Sequence, residues 1–213
     1  MIIFVGVPTR GVVFTKTVKG ILDSFRKEEH ELYFETINPV SDARNNIVKK
    51  FLSGYCSHLL MIDDDEVLTP EILSKIKKKT NEGFDIVVVD APAKKTSKSN
   101  IFKNKDGSIV ASGFGCALFS RKVFETIPDP WFDLSPRRRM EYNGEYSFPI
   151  IDDAPPNEWG GEDVNFSLKL KEYGFEIYQA EGVCEHLEYE PFNNDKRATK
   201  ILEIKTYDQI KPM

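Results

Sequence analysis

The first 90 residues switch repeatedly between two hydrophobic periods, and that alternation restricts the fold more than any other feature. Residues 2–7 (IIFVGV) form a β-branched apolar run stopped by Pro8, as in a strand covered on both faces. Residues 14–27 then place Val18, Ile21, Leu22 and Phe25 at helical spacing. A second strand fits residues 31–37 (ELYFETI), closed by Asn38-Pro39. Ser41-Asp42 can cap a helix whose stripe is Ile47, Val48, Phe51 and Leu52 and whose end is Gly54. His58 opens a third strand at 58–62, Thr69-Pro70 opens a third helix, and residues 85–91 (DIVVVDA) make a fourth strand. Strand–helix repeated in this way predicts a parallel α/β sheet with helices on both faces. Ligands of such sheets bind beyond the C-terminal ends of the strands. The PTRG turn at 8–11 and the triplet Asp63, Asp64, Asp65 both fall there.

The second half is less regular. Residues 94–108 are basic and polar, as in a surface loop or hairpin, and 108–124 return to strand character through Phe119 before turning helical. Residues 128–158 hold six prolines and the run Arg137, Arg138, Arg139. They read as an irregular flap over the site, with little core of their own. Residues 162–173 alternate like a strand yet also place Phe166, Leu170 and Tyr173 on one helical face, and the flanking signals, with Gly174 as a stop, favour helix.

With 213 residues and 40% hydrophobic content, the chain suits one domain with a real core. Its 29 basic and 34 acidic residues give a net charge of −5, which argues against a general polyanion binder, and no nucleic acid is expected. Cys56, Cys116 and Cys184 are odd in number and far apart, so they read as buried thiols in a reducing compartment. No signal peptide and no transmembrane run are recognisable, which suggests a soluble, cytoplasmic protein.

Three constellations carry chemistry. Asp63–Asp65 end an apolar run, and such carboxylates are costly unless something positive meets them. They fit either a surface turn or a metal or nucleotide site. Thr69 is the better cap for the next helix, and the EF-hand register fails because Val67 and Leu68 fall where a ligand and a glycine belong. In WGGED (159–163), Glu162 and Asp163 are either the acidic first turn of a capped helix or a carboxylate pair beside a pocket, one placed as a base. His186 follows a short strand, where a structural histidine and a metal ligand look alike. Lys94, Lys95, Lys98 and the arginine run fit a solvated basic surface.

ARN at 43–45, IDDD at 62–65, SGFGCALFSRKVFETI at 112–127, WGGED and the later His186 together resemble a glycosyltransferase of the GT-A fold. Their order is similar to that of family 2-like inverting enzymes and the β-1,4-galactosyltransferase group. The resemblance spans the chain to about residue 190 and implies one domain over 1–213, with a nucleotide-binding half at 1–92 and an acceptor and catalytic half at 107–190. It implies transfer of a sugar from a nucleotide diphosphate sugar, a UDP-sugar in the first instance, to a carbohydrate or other hydroxyl acceptor, with Mn²⁺ or Mg²⁺ on the diphosphate. By the same resemblance Pro8, Thr9, Arg10 and Arg44 would line the nucleotide pocket. Asp63 would meet the ribose side and the metal, Asp64 the sugar, and Asp65 and His186 the metal. Asp163 would be the catalytic base, Glu162 would hold a sugar, and Trp159, Gly160 and Gly161 would shape the acceptor floor. The chain departs from the galactosyltransferase group in having no membrane anchor and only a short stretch after His186. Three other readings stay open: a retaining GT-A enzyme, a sugar nucleotidyltransferase (PTRG keeps Thr-Arg but lacks the Gly-Gly run) and a non-catalytic sugar-nucleotide-binding protein.

Overall fold

The computed structural model describes residues 1–92, 98–150 and 159–187, with Trp159 and Gly160 described in backbone only. Its centre is a six-stranded sheet of β1 (Ile3–Pro8), β2 (His30–Glu35), β3 (His58–Ile62), β5 (Ile86–Asp90), β8 (Cys116–Ser120) and β13 (Tyr178–Val183). The spatial order is β13-β5-β8-β3-β1-β2, and β8 alone runs against its neighbours. Helices α1 (Thr15–Ser24), α2 (Val40–Ser53), α3 (Pro70–Asn81), α4 (Arg121–Thr126) and α5 (Glu162–Glu172) flank it. Apolar residues lie on both faces of the sheet, in one cluster around Phe4, Leu59 and Phe119 and another around Val5, Leu60 and Leu118. That two-sided cover explains why β1, β3 and β5 read as continuous apolar runs.

Local chemistry sets the boundaries. Thr69 caps α3 as expected, its hydroxyl accepting from Ile72 N–H at 3.2 Å. Gly54 ends α2, but the helix begins one residue before Ser41, with Pro39 at the cap position and no side-chain cap. In α1 the inner face is Thr17, Gly20 and Ile21, while Leu22 is exposed. The residues at 162–172 do form a helix; Phe166 and Leu170 are buried, whereas Tyr173 lies just past the end and is exposed. His30 opens β2 and stacks on Phe25.

Residues 108–119 are two strands, not one. β6 (Ile101–Lys103) and β7 (Ile109–Ser112) form a hairpin, and the chain breaks at Gly113–Gly115 before entering β8. A Cβ on Gly115 would lie 2.1 Å from Glu66 Oε1 and 2.8 Å from Asp63 Oδ2, so two carboxylates occupy the space that any side chain would need. The proline-rich segment also differs from expectation. Besides the short strands β9 (Arg138–Arg139), β10 (Glu141–Tyr142) and β11 (Tyr146–Ser147), it contributes Trp131 and Phe132 to the main core. Asn45 of α2 makes this possible. Its Nδ2 donates to Phe132 O at 2.7 Å, and its Oδ1 accepts from the N–H groups of Trp131 and Phe132, both at 3.0 Å. Short pairings β12 (Trp159–Gly160) on β9 and β14 (Glu185–His186) on β4 (Glu66–Val67) complete the described structure.

Candidate functional site

The C-terminal ends of β1, β2 and β3 open into a cavity of about 570 Å³. Pro8, Thr9 and Arg10 come from the turn after β1, Arg44 from α2, Asp63, Asp64 and Asp65 from the turn after β3, Glu162 and Asp163 from the first turn of α5, and His186 from β14. All these sequence-predicted residues line the one cavity. Gly161 caps α5, and a Cβ there would meet nothing within 4 Å. Trp159 and Gly160 are placed by pairing with Arg139 and Arg138 of β9. Lys94 and Lys95 lie outside the described residues.

Arg44 holds the acidic side of the cavity together. Its guanidinium is buried and meets three carboxylates. Nη2 donates to Asp63 Oδ1 and Oδ2 at 2.9 and 3.2 Å, Nη1 donates to Asp163 Oδ1, and Nε stands 3.7 Å from Glu162 Oε1. Burial opposes the charge on Arg44, but Asp163, Asp63 and Glu162 outweigh it and raise its pKa. Arg44 was expected to face a nucleotide; it lines the cavity, and its hydrogen bonds go to the protein's own carboxylates. Asp63, expected at the ribose and the metal, likewise turns both oxygens onto Arg44. Phe132 covers the guanidinium from the other side, 5.6 Å from its ring centroid.

Asp163 is held at both oxygens, since Oδ2 accepts from Phe114 N–H at 3.2 Å. Burial pushes its carboxyl up to about 7, against the pull of Arg44, with the negative charges of Glu162 and Asp63 adding to the rise. Burial likewise raises Asp63, with Arg44 pulling it back. An acid with a pKa near neutrality, lining a cavity and fixed in position, has the properties of a general base.

A second pair faces the cavity from β14. His186 Nε2 lies 3.5 Å from Asp65 Oδ1. His186 Nδ1 sits 3.2 Å from Pro92 O, which can only accept, so Nδ1–H donates there and Nε2 is the nitrogen that faces Asp65. Backbone bonds hold both partners, as Leu187 N–H donates to Asp65 O at 2.7 Å. Asp64 accepts weakly from Arg10 N–H at 3.4 Å, and its carbonyl accepts from Phe14 N–H. Thr9 Oγ1 donates to Val12 O and accepts from Gly11 N–H, so it shapes its own turn.

Ile37, Asn38, Pro39, Val40 and Ala43 complete one wall and were not anticipated. Ile37 and Val40 are exposed apolar residues, as a wall for a flat aromatic ligand would be. The signal was present: Asn38-Pro39 follows β2 as PTRG follows β1, and the strand-end rule applies equally to both.

No protein-family model matches the sequence, and no curated protein does. Solved structures match the fold. A197 from STIV superposes with a TM-score of 0.62 at 20% identity, covering 89% of this chain and 87% of that one. Residues 1–349 of TarS from S. aureus superpose at 0.54 and 12% identity, covering 88% of this chain and 60% of that one. A CMP:2-keto-3-deoxy-manno-octonic acid synthetase complexed with CTP superposes at 0.50 and 8% identity, covering 86% of this chain and 90% of that one. At these identities the likeness is one of fold, and the fold is GT-A.

Proposed function

We propose that the protein is a glycosyltransferase that moves a sugar from a nucleotide diphosphate sugar, a UDP-sugar in the first instance, to an acceptor hydroxyl with inversion. One observation carries the reading: a single cavity at the strand ends joins a fixed, near-neutral Asp163 to the facing pair Asp65 and His186. The GT-A fold supports the same class.

In this reading the wall of Ile37 and Val40 receives the nucleoside, beside Pro8, Thr9 and Arg10. Arg10 is the exposed cation at this rim and can meet phosphate. Asp65 and His186 are the residues that would hold a divalent cation. One carboxylate oxygen and one imidazole nitrogen suit Mn²⁺ or Mg²⁺ and leave positions for phosphate oxygens. Such a cation, when bound, supplies neutralisation of the charge that develops on the diphosphate. Asp163 takes the proton of the acceptor hydroxyl as that oxygen attacks the sugar carbon opposite the leaving group. Glu162 lies beside it and orients a sugar hydroxyl, Asp64 faces the donor sugar, and Asp63 stands at the ribose side, set by Arg44. Trp159, Gly160 and Gly161 enter at the acceptor side.

The decisive experiment incubates the protein with Mn²⁺ and a panel of nucleotide sugars and follows hydrolysis and thermal stabilisation. A nucleotide sugar that stabilises the protein only with the metal supports the reading. If no member of the panel binds or is turned over, the reading fails. Proton NMR of the transfer product gives its anomeric configuration, and retention would remove Asp163 from the role of base. The likeness to a synthetase complexed with CTP supports a second reading, nucleotidyl transfer from a nucleoside triphosphate to a sugar. Release of pyrophosphate from that mixture separates the two.

A further inference from the structure

Outside the lining of the cavity, three elements bring together donors that the proposed transfer does not use. Cys116 opens β8 opposite Ile62 of β3. Cys184 links β13 to β14, and its N–H donates to Asp90 O at 2.8 Å. Glu66 sits in β4, paired with His186. The ligand atoms of Glu66, Cys116 and Cys184 all lie within 4.8 Å of one another, and this is the one three-donor cluster among the described residues. Glu66 is 2% exposed and each cysteine 1%.

Glu66 Oε2 is buried and finds no hydrogen-bond partner among the described residues. Leaving a carboxylate oxygen so costs free energy that a fold rarely retains without a use. The Cys116 and Cys184 sulfurs lie within 4.8 Å of a Glu66 carboxyl oxygen, and a thiol is a weak donor. A cation resolves the mismatch, because thiolates and a carboxylate are ligands rather than a hydrogen-bonding set. The surrounding charge points the same way: Asp63 and Asp65 flank Glu66 in the same turn, and Arg44, which Asp163 and Glu162 also engage, is the cation opposite them.

We propose that Glu66, Cys116 and Cys184 bind a divalent transition-metal cation of the zinc class, at a site separate from the cavity. Two sulfurs and one carboxylate oxygen supply three of the four positions of a zinc-class shell. Binding releases the thiol protons and converts both sulfurs to thiolates. Donor softness sorts the two sites: sulfur selects zinc-class ions here, while the oxygen and nitrogen donors of Asp65 and His186 favour Mn²⁺ or Mg²⁺. The site would pin β4, β8 and the β13–β14 link together directly beneath the carboxylates of the cavity.

The full chain, stripped of metal and kept under a phosphine reductant, is titrated with Co²⁺. A thiolate-to-cobalt charge-transfer band saturating at one equivalent is expected, and Zn²⁺ should abolish it. The cavity pair contains no sulfur, so Asp65→Ala should keep the band and Cys116→Ser and Cys184→Ser should lose it. No band in the wild-type protein at saturating Co²⁺ overturns the proposal, and so does a band that survives both serine substitutions. Because the wild-type spectrum decides by itself, a serine variant that fails to fold does not blunt the test. Manganese-dependent nucleotide binding is measured separately, so either result can fail without the other.

Discussion

At the scale of single residues, the site is a set of carboxylates organised by one guanidinium. Asp163 must be deprotonated to accept a proton, and with its carboxyl pushed up to about 7 the competent fraction falls as pH drops through that value. The rate constant kcat/KM should therefore rise about tenfold per pH unit below 7 and level off above it. Asp163→Asn should remove that limb and slow transfer by roughly 10²–10⁴-fold while leaving donor affinity nearly intact, as stopped kinetics and calorimetry would show. Asp65→Ala should abolish the Mn²⁺-dependent part of donor affinity, and an unchanged metal dependence would take Asp65 out of the site. Arg44 was legible as a site residue from the ARN segment, but its role was not. Sequence spacing places a residue near a strand end; it does not say whether a buried guanidinium serves a ligand or the protein's own acids. In the structure three carboxylates lie within reach of Arg44, which also lines the cavity. Arg44→Met should cost about 3–5 kcal/mol in denaturant unfolding, because it strands buried charges rather than removing a pair.

At the scale of elements, the alternation of periods located β1, β2, β3 and β5 and the helices between them; β1, β3 and β5 are buried and read as unbroken apolar runs, while the edge strand β2 is half-exposed. Where the physics is less local, sequence was less informative. The break between β7 and β8 depends on Gly115, whose missing side chain makes room for Glu66 and Asp63 from a distant turn. The inner face of α1 was misjudged for a similar reason. Leu22 fits the helical stripe, yet α1 approaches the chain through small residues, and a Cβ on Gly20 would lie 2.4 Å from Leu68 O. Helix spacing does not register a contact that requires the absence of an atom. Gly20→Ala should therefore destabilise the fold by about 1–3 kcal/mol even though alanine is the better helix former, since overpacking against backbone outweighs propensity. A midpoint in urea that rises instead of falling would show that α1 shifts freely.

At the scale of the whole molecule, the two halves of the chain meet where the cavity needs them to, and Asn45 carries much of that junction. It lies one residue after Arg44 and satisfies three backbone groups of Trp131 and Phe132. Phe132 in turn covers Arg44 and packs on Phe166 of α5, the helix whose first turn presents Asp163. Trp131 and Phe132, at the start of the proline-rich segment, are thus held in the core by a tether rather than by a hydrophobic period. Asn45→Ala leaves the N–H groups of Trp131 and Phe132 and the carbonyl of Phe132 without that partner in a buried setting. Each such loss costs roughly 1–3 kcal/mol, and water entering the gap recovers part of it. A net destabilisation of about 2–4 kcal/mol is therefore expected from denaturant unfolding. The more specific outcome concerns transfer. If the tether positions the base through Phe132, Arg44 and α5, Asn45→Ala should lower kcat at saturating donor while the donor's affinity holds. A change in donor affinity alone would instead confine Asn45 to the nucleotide side of the cavity.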